Sequence, residues 1–252
     1  MLRRPRLARA LCAAAARPAV HAVPLRLATP EALAPYGTVF TDWDAERCRL
    51  QRWPARGWRP VAAGDEAGCT SGSFTLAWSH GAHAASNSAV AHGDYVFAWS
   101  TRDAALAAAA SPAPPSPPSN GSSPSPPSPS SPASADASGR GEHAYLWSEI
   151  NYHACGSQLF FTPDAAVLLL LALPPPHRAP DDVRPDDFRA FYCPAGLGVN
   201  VDAFVWHSPP IATTDGQVAM RTRQARVHSK IYYDPLQEHG VLLQVPLREP
   251  SG

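Results

Sequence analysis

A chain of 252 residues with 21 basic and 21 acidic side chains carries no formal net charge at pH 7, so nucleic-acid binding has no electrostatic support. Its longest apolar run, residues 165–173, is far shorter than the ~20 residues a bilayer-spanning helix needs, which speaks against a membrane partner. The five cysteines contain no CxxC pair and read as small buried residues in a reducing compartment, not as a disulfide framework or a zinc site.

In chain order, residues 1–23 carry Arg3, Arg4, Arg6, Arg9 and Arg17 among alanines and leucines, and the first acid is Glu31. That composition predicts an organellar transit peptide, mitochondrial in preference to plastid because the stretch has no hydroxyl residues. The mature domain, 24–252, opens with a short helix: Thr29 caps it, Pro30 suits its first position and Gly37 can close it in a left-handed conformation. Strands are expected at 38–40, 74–78 and 95–99, from alternating aromatic and aliphatic residues. Residues 104–141 pass from an alanine run into Ser-Pro-Pro repeats and cannot bury enough apolar area to offset their ordering entropy. They read as a flexible insertion that interrupts one domain.

Further strands are expected at 157–161, 166–172, 188–193, 203–206, 227–233 and 240–245, separated by Pro174-Pro-Pro176, Pro194-Ala-Gly196, Asp215-Gly216 and Asp234-Pro235. Many short strands with Gly/Pro punctuation and few helices predict a mainly β fold, a sandwich or a small barrel. The halves flanking the insertion are too small for separate cores.

Two polar clusters flank the apolar run. The first is Glu149-Ile-Asn-Tyr-His153-Ala-Cys-Gly156-Ser-Gln158. A carboxylate beside an imidazole orients the ring and supports acid–base work, and the Gln158 carboxamide can bind a ureido or carboxylate group. The competing readings are a strand-end histidine and a partly exposed glutamine. The second cluster runs from Asn200 to Trp206-His207-Ser-Pro209-Pro210, where the prolines hold the chain extended as the imidazole emerges and Trp206 packs beneath it. Asn200 can equally serve turn chemistry alone. Arg102, at a strand end, is a candidate carboxylate clamp. Arg189, flanked by Phe188 and Phe191, reads as a structural or solvent-side residue. His80 and His83 read as surface loop residues, His228 as a packed or exposed strand residue, and Lys230 has no signal for Schiff-base chemistry around it.

Three blocks resemble the ureidoglycolate lyase family, formerly called ureidoglycolate hydrolase. They are Leu27-Ala-Thr-Pro-Glu31 with Tyr36-Gly37-Thr-Val-Phe40; Glu149 through His153, Gly156 and Gln158 to Pro163; and Pro185-Asp186 through Phe188-Arg189-Ala-Phe191, Asn200 and Trp206-His207-Ser-Pro209. The resemblance spans most of the mature chain. It implies a cupin-like antiparallel β-barrel or sandwich with a few short helices, usually homodimeric. It also implies cleavage of (S)-ureidoglycolate to glyoxylate and urea in allantoin breakdown. Glu149, His153, Gln158, Asn200 and His207 would lie near the pocket, and Arg102 would match an arginine ending the preceding strand. A divalent metal such as nickel is associated with the family, although the chain shows no dense ligand set. Two departures stand out: the family's Asn-Gly and Arg-Tyr segment is not recognisable in residues 51–92, and the Ser-Pro insertion replaces a short loop. On this reading His207, His153 and Glu149 are catalytic, while Gln158, Asn200, Arg102 and Trp206 bind the substrate. The alternatives are a hydrolase releasing ammonia and a non-catalytic cupin-like module that binds a small carboxylic acid.

Overall fold

The computed structural model describes residues 18–50, 69–79, 82–87, 95–102, 142–147, 150–225 and 230–251. Residues 1–17, the 104–141 insertion, Glu149, His80 and His228 lie outside the described residues.

Local chemistry sets the element ends. Helix α1 (Pro30–Leu33) starts as expected, with Thr29 Oγ1 accepting the Ala32 N–H at 3.2 Å and Pro30 in the first turn. Gly37 does not cap this helix. It opens strand β3 (Gly37–Phe40) at φ +152°, where a Cβ would stand 2.1 Å from the carbonyl oxygen of Asn200. The Asp234-Pro235 pair, expected to make a turn, instead begins helix α2 (Pro235–His239): Asp234 accepts the Gln237 N–H at 2.8 Å, and Gly240 ends the helix at φ +67°.

The remaining strands are β1 (Ala19–Ala22), β2 (Leu25–Leu27), β4 (Cys69–Ser79), β5 (Ala82–Asn87), β6 (Tyr95–Thr101), β7 (His143–Leu146), β8 (Ile150–His153), β9 (Gln158–Phe161), β10 (Val167–Ala172), β11 (Phe188–Cys193), β12 (Gly198–Val201), β13 (Trp206–His207), β14 (Ile211–Ala212), β15 (Val218–Ala225), β16 (Lys230–Tyr233) and β17 (Val241–Pro246). They form a ten-stranded sheet, β1-β17-β7-β6-β5-β4-β15-β9-β12-β3, and a seven-stranded sheet, β16-β8-β13-β10-β11-β2, with β14 added to β10. Pairing is antiparallel except for β1 on β17 and β2 on β11. Among the described residues the fold is thus mainly β with two short α-helices, a sandwich and not a closed barrel.

The larger sheet packs against both faces of β10, the central strand of the smaller one. Leu168, Leu170 and Ala172 of β10 pack in one core with Leu146 of β7 and Leu243 and Val245 of β17. Val167, Leu169 and Leu171 pack in a second core with Phe160, Val199, Val201, Val218 and Met220 from β9, β12 and β15. A strand buried on both faces needs apolar residues at every position, which explains the unbroken Val-Leu-Leu-Leu-Leu-Ala.

Residues 19–22, inside the stretch read as a transit peptide, form β1, and Val23 behind it is 3% exposed. The side chains of β1 are mostly exposed and its place comes from backbone pairing with β17, which leaves little mark on sequence. His83, read as part of a loop, falls in β5 between β4 and β6. The strand expected at 203–206 is a turn through Phe204 at φ +67°, and only Trp206 and His207 are strand. Left-handed backbone at an aromatic residue costs roughly 1–2 kcal/mol. Here the Phe204 N–H donates to the His153 carbonyl at 2.8 Å, and its ring packs 6.0 Å from that of Tyr152.

Candidate functional site

His153 ends β8, and His207 sits in the neighbouring strand β13, where it pairs with Asn151. Side chains two apart on a strand share a face, so the two imidazoles project from the same side of the smaller sheet. Their ring centroids are 5.0 Å apart. Gln158 reaches them from β9 of the facing sheet. Its Oε1 lies 2.8 Å from His153 Nε2 and 3.1 Å from His207 Nε2. The Gln158 amide nitrogen donates to Thr222 Oγ1 on β15 at 3.2 Å. His207 Nδ1 lies 2.9 Å from the Val205 carbonyl, which the Phe204 turn presents, and the Phe160 ring stands edge-on to His207. The cluster is buried: His153 is 4%, His207 3%, Gln158 9% and Thr222 6% exposed.

The other expected site residues are placed elsewhere. Trp206 points to the opposite face of β13, where its ring is edge-on to Tyr152 at 4.7 Å and its Nε1 donates to the Pro180 carbonyl. It anchors the strand that carries His207 and does not reach the imidazole pair. Burial, aided by Asp181 for Tyr152 and by Glu238, Asp187 and Asp234 for Tyr233, raises both phenols on that face above the ordinary tyrosine range.

Asn200 alternates with Val199 and Val201, which face the core, so it faces outward beneath the loop 41–50. Its Nδ2 donates to Glu46 Oε1 and to the Arg47 carbonyl. Arg102 lies with its guanidinium 4.2 Å over the Trp78 ring and paired to Asp215. Trp78 Nε1 donates to the carbonyl of Ala212, which pairs with Val167, whereas His207 pairs with Leu171. Four residues along β10 separate those points by roughly 13 Å. Arg102 instead lines a separate cleft of ≈ 520 Å³ with Glu142, Thr213, Asp215, Leu247 and Arg248. Arg189 donates to the Asp186 and Phe188 carbonyls and serves the backbone, as its sequence setting suggests.

Thr222 and the Val205 carbonyl were not anticipated. Thr222 had a signal: Met220, Thr222 and Gln224 alternate with Arg221 and Arg223, the period of a half-buried strand. The Val205 carbonyl had none, because the Phe204 turn depends on contacts from β8.

Among the described residues, no group of three or more His, Cys, Asp or Glu is placed to hold a metal ion. No helix among the described residues is long and apolar enough to cross a membrane. Neither a protein-family model nor a curated protein matches the chain.

Proposed function

We propose that the protein is a carbon–nitrogen lyase that cleaves (S)-ureidoglycolate to glyoxylate and urea. The observation that carries this reading is the polarity of His207. A neutral ring that donates its Nδ1–H to the Val205 carbonyl keeps a lone pair on Nε2, the form a general base requires. Once the substrate displaces Gln158 from between the rings, His153 with its proton on Nε2 supplies the complementary acid.

The substrate carbon bears a hydroxyl, a carboxylate and a ureido nitrogen. The substrate hydroxyl takes the place of Gln158 Oε1 at His207 Nε2 and gives up its proton there. The C–O bond becomes the carbonyl of glyoxylate, the C–N bond breaks, and the departing nitrogen takes a proton from His153 to leave as urea. Gln158, turned aside, hydrogen-bonds the ureido group. Arg102 and Asn200 have no part in this scheme, since neither faces the imidazoles.

Purified protein given ureidoglycolate is expected to release glyoxylate and urea in equal amounts. Release of ammonia in place of urea would convert the reading to a hydrolase. The depth of the histidines and the remoteness of Arg102 favour one further reading, a non-catalytic module that binds a small carboxylic acid. Glyoxylate binding without any product from ureidoglycolate would establish it.

A further inference from the structure

The hydrogen bonds around Gln158 pose a counting problem with two solutions. His207 Nδ1 faces one acceptor, the Val205 carbonyl, and its Nε2 faces another, Gln158 Oε1. A neutral imidazole has one N–H and cannot serve both. Either His207 carries both protons, or the carboxamide is turned end for end, since its oxygen and nitrogen are sterically alike. In the turned arrangement the two amide hydrogens donate to His153 Nε2 and His207 Nε2, and both rings are neutral with the proton on Nδ1. The opposite end of the amide meets Thr222 Oγ1 at 3.2 Å. A hydroxyl accepts from the amide nitrogen in the first arrangement and donates to the amide oxygen in the second, so it satisfies both.

We propose that Gln158 is a two-position proton switch. Its amide oxygen faces the two imidazoles when His207 holds an extra proton, its amide nitrogen faces them when both rings are neutral, and Thr222 partners the other end throughout. Passing from the first state to the second removes one proton from His207 Nε2 and moves the His153 proton from Nε2 to Nδ1. Gln158 and Thr222 are positioning residues: they tie the protonation of one ring to the tautomer of the other. On β9 and β15 the charged neighbours, Arg221 and Arg223, lie over Trp43 on the outer face. The ionisable residues closest in chain and register are Tyr152, which packs against Trp206 on the opposite face, Cys155, Glu149 before β8, and Lys230, the register partner of His153.

The test is ring-nitrogen NMR on the full chain with ¹⁵N-labelled histidine across a pH series, with His153→Gln and His207→Gln spectra for assignment. The expected result is that His207 Nδ1 stays protonated throughout, and His153 changes tautomer over the pH interval in which His207 loses its Nε2 proton. Gln158→Glu presents oxygen at both ends, so both Nε2 atoms should remain protonated to higher pH. Thr222→Ser should keep the coupled transition, and Thr222→Val, close in shape but without the hydroxyl, should uncouple the two rings. A His207 protonated on Nε2 with a bare Nδ1, or a His153 tautomer constant across the series, would overturn the switch. The use of the switch in catalysis rests on the lyase reading, but the spectra need no substrate. A protein that shows the coupled transition and releases no glyoxylate loses that reading and keeps the switch.

Discussion

His153 and His207 come from neighbouring strands of one sheet, and their Nε2 atoms meet the same oxygen of a residue on the opposing sheet, Gln158 Oε1, at 2.8 and 3.1 Å. A junction of this kind joins the two layers of the sandwich at a polar point inside otherwise apolar packing. Buried polar groups persist there only because each finds a partner.

Removing the base from this junction should slow turnover without abolishing the fold. His207→Ala is expected to lower glyoxylate release by about 10²–10⁴-fold. Circular dichroism should show the β signature retained. An unimpaired His207→Ala enzyme would remove His207 from the mechanism.

Gly37 should tolerate no side chain. Its φ of +152° and the 2.1 Å approach of a Cβ to the Asn200 carbonyl force β3 away from β12. Gly37→Ala is expected to cost on the order of 3 kcal/mol in chemical denaturation. Gly216 has open space around a would-be Cβ, so Gly216→Ala should stay within about 0.5 kcal/mol of the parent. Similar losses at both glycines would contradict the close approach.

The doubly covered strand should be the most sensitive element to truncation. Leu170 is 0% exposed and packs against β7 and β17, so Leu170→Ala should cost about 2–5 kcal/mol. Ile231, 42% exposed on edge strand β16, should lose about 0.5 kcal/mol or less on truncation. Urea melts of both variants read the contrast directly.

Stability should fall in alkali, in part through Cys193. Burial pushes its thiol up to about 12 from an ordinary 9.0. Between those values the unfolded chain has released the proton while the folded chain retains it, so stability declines as pH rises from about 9 to about 12. Denaturation midpoints measured from pH 8 upward should drop less steeply in Cys193→Ala. Some slope should persist, because burial raises the Tyr233 phenol in the same direction. Equal slopes in parent and variant would show that the thiol ionises alike in both states.

Several elements could be read from residue order because their causes are local. Thr29 and Pro30 predict the start of α1, and Phe188 to Cys193 predict β11 to the residue. The elements that escaped were built by partners distant in sequence. Strand β1 exists because β17 offers a backbone edge, and the Phe204 turn exists because the His153 carbonyl captures its N–H. Asn200 shows the same limit: its place near the site in sequence is real, but strand alternation sends it to the outer face.

Residue order alone was sufficient for a mainly β chain with few helices, and for singling out His153, Gln158 and His207. Periodicity, turn residues and side-chain chemistry are properties of short segments, and they survive without the fold. Which side chains meet depends on pairing register and on how one sheet wraps another, since a shift of one residue exchanges the two faces of a strand. That is why folding united the two histidines around Gln158 and Thr222, turned Trp206 to the opposite core, and left Arg102 beside Trp78 and Asp215.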